Sequence, residues 1–130
     1  MNWYFASAGA LMIVIGAIHS FLGERLIFRR MRAVGVMIPT NGGQLLREPH
    51  VRILWASWDL ATVMGVGLAF VLFWLAQPST KNLNQSWPAM AIAGSIIASA
   101  SVVLIGTKGR HPGWAGLLAA AVLTVIGMVA

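Results

Sequence analysis

Four apolar stretches, each near the length of a bilayer crossing and each bounded by a short polar break, constrain this chain more than any motif it contains. A spanning helix needs about 20 predominantly apolar residues. Because the hydrocarbon core satisfies no backbone group, such stretches are expected to be helices. They run over 4–28, 53–76, 88–106 and 113–130. The first break holds Arg29, Arg30, Arg32, Pro39, Asn41, Gly42, Gly43, Arg47, Glu48 and Pro49, and the others read QPSTKNLNQSW (77–87) and TKGRHP (107–112). Prolines and glycines so placed end helices or begin them. The expected fold class is all-α, an integral membrane four-helix bundle forming a single transmembrane domain over 1–130.

Composition excludes the main alternatives. Hydrophobic residues make up 58% of the 130 and charged residues only 9%, with a mean hydropathy of +0.80, whereas a soluble domain carries about a quarter charged residues. Disorder, a solvated coiled coil and an ordinary cytosolic enzyme are ruled out. The absence of cysteine removes disulfides, thiolate metal sites, iron–sulfur clusters and cysteine nucleophiles. The net charge of +6 does not imply nucleic acid, because the arginines flank apolar stretches and no soluble surface is available for a binding face. Anionic lipid headgroups at Arg29, Arg30 and Arg32 are the expected partners.

The basic residues also predict orientation, since lysine and arginine collect on the cytoplasmic side. Arg25, Arg29, Arg30, Arg32, Arg47 and Arg52 surround the first connection, Lys108 and Arg110 lie in the third, and Lys81 alone lies in the second. Both termini are therefore expected outside. Trp3, Tyr4, Trp74 and Trp87 would then mark the outer interface, and Trp55 and Trp114 the inner one. The first stretch has no basic region at its start and runs on into a basic flank, so it is expected to be retained and not cleaved as a signal.

In lipid, helices associate through small residues. Gly9, Gly16 and Gly23 recur at intervals of seven and would form a stripe suited to an antiparallel neighbour. Gly65 and Ala69 mark a contact on the second helix, and Gly116, Ala119, Ala120 and Gly127 a packing side on the fourth. The third helix, with Ala91, Gly94, Ser95, Ala98, Ser99 and Ser101, is expected to be the most buried.

Ionisable groups in hydrocarbon are costly and are functional candidates by default. His19 and Glu24 lie on the first helix and Asp59 on the second. Counted from the basic boundaries at Arg29 and Arg52, His19 and Asp59 reach depths of roughly 15 and 10 Å, close enough to meet across a helix pair. His19 is four residues from Gly23, which places it beside the glycine stripe. Trp55, Asp59 and Thr62 share one face, as do Trp58 and Thr62. His19, Glu24, Arg25, Trp58, Asp59 and Thr62 are the candidates for a ligand or proton site. The plainer alternative is that His19 or Arg25 pairs with Asp59 only to lock two helices, while Glu24 neutralises Arg25 or Arg52. His50 and His111 lie beside prolines in the connections. No histidine pair has ligand spacing, and only His19 is deep enough for a haem ligand, so no metal or cofactor is expected. No nucleophile elbow, phosphate loop or dinucleotide fingerprint is present.

HSFLGERLIFRR (19–30), WDLATV (58–63) and GRHPGW (109–114) together resemble a family of small four-span bacterial membrane proteins. His19, Ser20, Leu22, Gly23 and Glu24 match its first motif, and Asp59 stands where the family's second motif carries histidine. The resemblance covers most of the chain and implies the fold and a bacterial inner-membrane location, without an activity. GERLIFRR is also similar, over a few residues, to the glutamate–arginine region of small four-helix glutathione-dependent membrane enzymes, but lacks their following asparagine. Three functions fit these residues: a proton-linked transport or ligand-binding subunit acting as a homo-oligomer, a membrane enzyme using His19 and Asp59 as acid and base on a lipophilic substrate, or a noncatalytic subunit of a larger membrane complex.

Overall fold

The computed structural model describes residues 1–80 and 83–130; Lys81, one side of the charge bias, lies outside the described residues. The fold is all-α. Among the described residues four helices follow one another: α1 (Trp3–Leu26), α2 (Glu48–Leu75), α3 (Ser86–Gly106) and α4 (Gly113–Val129), with short 3-10 turns at Phe28–Met31 and Pro78–Thr80. The first three are long and apolar enough to cross a membrane. The fourth has 17 residues, about 25 Å at the α-helical rise. Large apolar side chains such as Val14, Ile18, Phe21, Val63, Phe70, Val102 and Ile105 are exposed along these helices. So continuous an apolar surface is incompatible with water as the surrounding medium and consistent with a multi-pass membrane protein.

α2 begins at Glu48, five residues before the apolar pattern starts at Ile53. Its first turn holds Glu48, whose carboxylate complements the helix dipole, and Pro49, which loses no hydrogen bond there. Hydropathy marks only the lipid-facing part of a helix, so this polar first turn reads as loop in the sequence.

The chain divides into two compact units, one comprising Met1–Ile15 with Gly65–Ala130 and the other Gly16–Met64. In the first, Phe5, Ala8 and Met12 of α1 pack with Ala69, Leu72 and Leu75 of α2, Ala89, Ile92 and Ile96 of α3, and Ala120 and Ala121 of α4. Small residues permit this approach. A Cβ on Gly9 would lie 3.0 Å from the Ala69 carbonyl oxygen, and one on Gly127 would lie 2.8 Å from the Phe5 ring. Asn2 closes one end. Its Oδ1 accepts from the Tyr4 and Phe5 amides, capping α1, its Nδ2 donates to Gly127 O at 2.7 Å, and its amide donates to Ala76 O at 2.8 Å.

Of the three helices of spanning length, α3 has the most buried apolar stretch, as expected, but through other residues than the small ones that suggested it. Ala91, Gly94, Ser95, Ala98, Ser99 and Ser101 are all exposed, and the buried side is Ala89, Ile92, Ala93, Ile96 and Ala100. Nothing lies within 4 Å of where a Cβ on Gly94 would be. The serines satisfy their hydroxyls on their own helix, Ser95 on Ala91 O, Ser99 on Ser95 O and Ser101 on Ile97 O, so they need no neighbour. On α4 the expected packing side is largely present: Ala120 and Gly127 are buried and Gly116 is half-buried, but Ala119 is exposed.

Candidate functional site

The candidate site lies in the second unit, where residues 16–26 of α1 run antiparallel to residues 48–64 of α2. Gly23 permits the closest approach, because a Cβ there would overlap Trp58 Nε1. With no side chain in the way, the Trp58 indole lies flat on the His19 imidazole, centroids 4.2 Å apart and planes within 8°. Trp58 Nε1 donates to the His19 carbonyl oxygen at 3.2 Å, using the second lone pair of a helical acceptor. Phe28, itself buried, makes a T-shaped contact with the indole, centroids 5.7 Å apart and planes at 79°. Trp58 is thus held by two ring contacts and by its one polar atom.

On the same helix pair, the Ser20 hydroxyl, one residue after His19, donates to Thr62 Oγ1, four residues after Trp58, at 2.9 Å. Trp58 and Thr62 therefore share the face of α2 that meets α1, as their spacing of four implies. Asp59 follows Trp58 and is half-buried, about 100° around the helix from it. Among the described residues the carboxylate–arginine pairs are Glu24 with Arg32 and Glu48 with Arg52; Asp59 pairs with neither Arg25 nor Arg52. Glu24 takes both terminal nitrogens of Arg32, one at 2.9 Å, instead of the Arg25 or Arg52 expected from sequence. The 3-10 turn at Phe28–Met31 continues α1, and Arg32, directly after it in extended conformation, reaches back to Glu24 eight residues earlier. Arg25 projects outward, its guanidinium carbon 5.8 Å from the Phe21 ring centroid.

The connection that follows is pinned at its base. Met31 O accepts from the Thr40 and Asn41 amides at 3.0 and 2.9 Å, and Pro39 and Val51 are buried. A Cβ on Gly42 would lie 2.7 Å from Val51 Cγ2, so glycine is required for this closure. His50 is exposed in the first turn of α2, and His111 Nδ1 accepts from the Gly113 amide at 3.0 Å at the start of α4. No group of three or more potential metal ligands is found among the described residues.

Sequence reasoning singled out His19, Glu24, Arg25, Trp58, Asp59 and Thr62; the structure gives His19, Glu24, Arg25, Trp58 and Thr62 each a defined contact and leaves Asp59 half-buried, in neither of the two arginine pairs. It missed Asn2, Phe28 and the Arg32 partner of Glu24. Asn2 was detectable as an N-cap residue directly before an apolar run; the other two depend on the 3-10 turn after α1. Compared with protein-family models, curated proteins and solved structures, the chain shows no match. The fold and site define a class only, an all-α protein with three helices of membrane-spanning length among the described residues.

Proposed function

We propose that the chain is a multi-pass protein of the bacterial inner membrane, with four crossings and both termini outside. It works there as a homo-oligomeric, proton-linked subunit for a small ligand, with His19 and Asp59 as the protonatable groups. The observation that carries this reading is His19 lying flat on Trp58 between two spanning segments, with Asp59 the next residue in sequence. Imidazole changes charge in the physiological range. An imidazolium over an indole gains cation–π attraction that the neutral ring lacks, so a proton arriving at His19 changes how tightly α1 and α2 hold each other. The motif likeness to four-span bacterial membrane proteins, HSFLGE with GRHPGW, supports the location, and a 17-residue α4 crosses a locally thinned bilayer at modest cost.

The test is proton flux in proteoliposomes carrying an internal pH dye. The expected result is flux above that of empty vesicles, lost in Asp59→Asn and in His19→Gln while helicity and monodispersity are kept. Flux equal to that of empty vesicles, or unchanged in both variants, overturns the reading. A noncatalytic assembly subunit then becomes the better account, favoured by the small residues that α3 turns outward at Gly94, Ser95 and Ala98, a surface suited to close helix–helix approach.

A further inference from the structure

The connection after α1 combines two features that the proton-linked reading does not use. Arg29 and Arg30 are exposed and, among the described residues, take no carboxylate; the acidic residues on either side, Glu24 and Glu48, are engaged by Arg32 and Arg52. Residues 33–37, Ala-Val-Gly-Val-Met, then form a turn with no polar side chain, closed by Val36 N–H to Ala33 O at 3.2 Å with Gly35 at φ +79°. Val34 is 105% and Met37 83% exposed. An open depression is lined by Arg29, Arg32 and this turn. Because Met31 O holds the Thr40 and Asn41 amides and Pro39 is buried, the turn is presented on a fixed base. It emerges directly from the end of a helix of membrane-spanning length.

We propose that Arg29, Arg30 and the apolar turn 33–37 form a binding surface for anionic glycerophospholipid, the phosphate on the two guanidinium groups and Val34 and Met37 among the upper acyl segments. Charge complementarity selects the occupant: this stretch offers two uncompensated cations and no acceptor side chain, beside apolar groups too exposed for water. A guanidinium fork suits a phosphate diester, and apolar residues next to it gain by entering the acyl boundary. Arg32 is excluded from the site, because its terminal nitrogens are already committed to Glu24.

The experiment is native mass spectrometry of the full chain in non-ionic detergent, titrated with phosphatidylglycerol and with phosphatidylcholine of the same acyl chains. Phosphatidylglycerol is expected to be retained preferentially. Arg29→Gln and Arg30→Gln should each weaken its retention about fivefold, Arg29→Lys should restore most of the preference, and Val34→Ser with Met37→Ser should shorten retention of the lipid. All four positions are in an exposed connection, so the variants leave the helices intact. Equal retention of the two lipids, retention unchanged in the double arginine variant, or binding of inorganic phosphate without any lipid preference overturns the proposal. None of these outcomes depends on proton flux, so the two readings fail separately.

Discussion

The Trp58 indole occupies the space that Gly23 leaves empty, one turn along α1 from the His19 ring on which it stacks. A Cβ at residue 23 and the indole in its present position exclude each other, so the stack, the Trp58–His19 hydrogen bond and the helix spacing stand or fall together.

Gly23→Ala is therefore expected to displace Trp58 and cost about 1–3 kcal/mol, the usual range for overpacking. Thermal unfolding in detergent should show the loss, with a shift in tryptophan emission. In a Trp58→Ala background the same substitution should cost much less, and equal costs in both backgrounds would dissociate Gly23 from Trp58.

Glycines that face open space should behave oppositely. Gly67 and Gly94 have nothing within 4 Å of a Cβ and lie inside helices, so replacement by alanine should be neutral or should stabilise by up to about 1 kcal/mol. A melting temperature lowered by Gly94→Ala in the purified chain would mean that this face of α3 is covered.

Gly127 accommodates Phe5 in the first unit. Gly127→Val should destabilise by about 1–3 kcal/mol through forced displacement of a buried ring, and Phe5→Leu should recover part of that loss. The readout is the unfolding midpoint of the two single variants and the double variant.

The Ser20–Thr62 hydrogen bond lends itself to a double-mutant cycle. Side-chain hydrogen bonds between spanning helices average about 0.6 kcal/mol, so Ser20→Ala and Thr62→Val should each cost little and show coupling of that order. A coupling indistinguishable from zero would show that the two hydroxyls act independently.

Glu24 and Arg32 are part-exposed, which limits their ion pair to about 1 kcal/mol or less. Glu24→Gln should lower stability slightly, with an effect that shrinks as salt is raised, and the charge exchange Glu24→Arg with Arg32→Glu should return most of it. Salt-independent destabilisation would point to packing.

How far the sequence could be read follows from the range of each interaction. Hydropathy alone determines four apolar helices, because any backbone in lipid must bond to itself, and their ends were legible to within a few residues except at Glu48, where a polar first turn is invisible to that signal. The repeat of seven that links Gly9 to Gly23 through Gly16 marks the side of α1 that meets α2, at Gly9 in one unit and at Gly23 in the other, since close backbone approach needs small residues whatever the partner. Periodicity cannot tell which of two faces turns inward when both are apolar. On α3 the structure buries Ile92 and Ile96 and leaves Gly94 and Ser95 outside, because bulky side chains fill the space between helices while back-bonded serines tolerate lipid. Likewise, spacing on α1 and α2 could nominate His19, Glu24, Trp58 and Asp59, but only the placement of the 3-10 turn at Phe28–Met31 and of the residue after it decided that Arg32 would reach Glu24 and that Phe28 would meet Trp58. Those choices depend on where distant side chains arrive in space, and only tertiary packing specifies that.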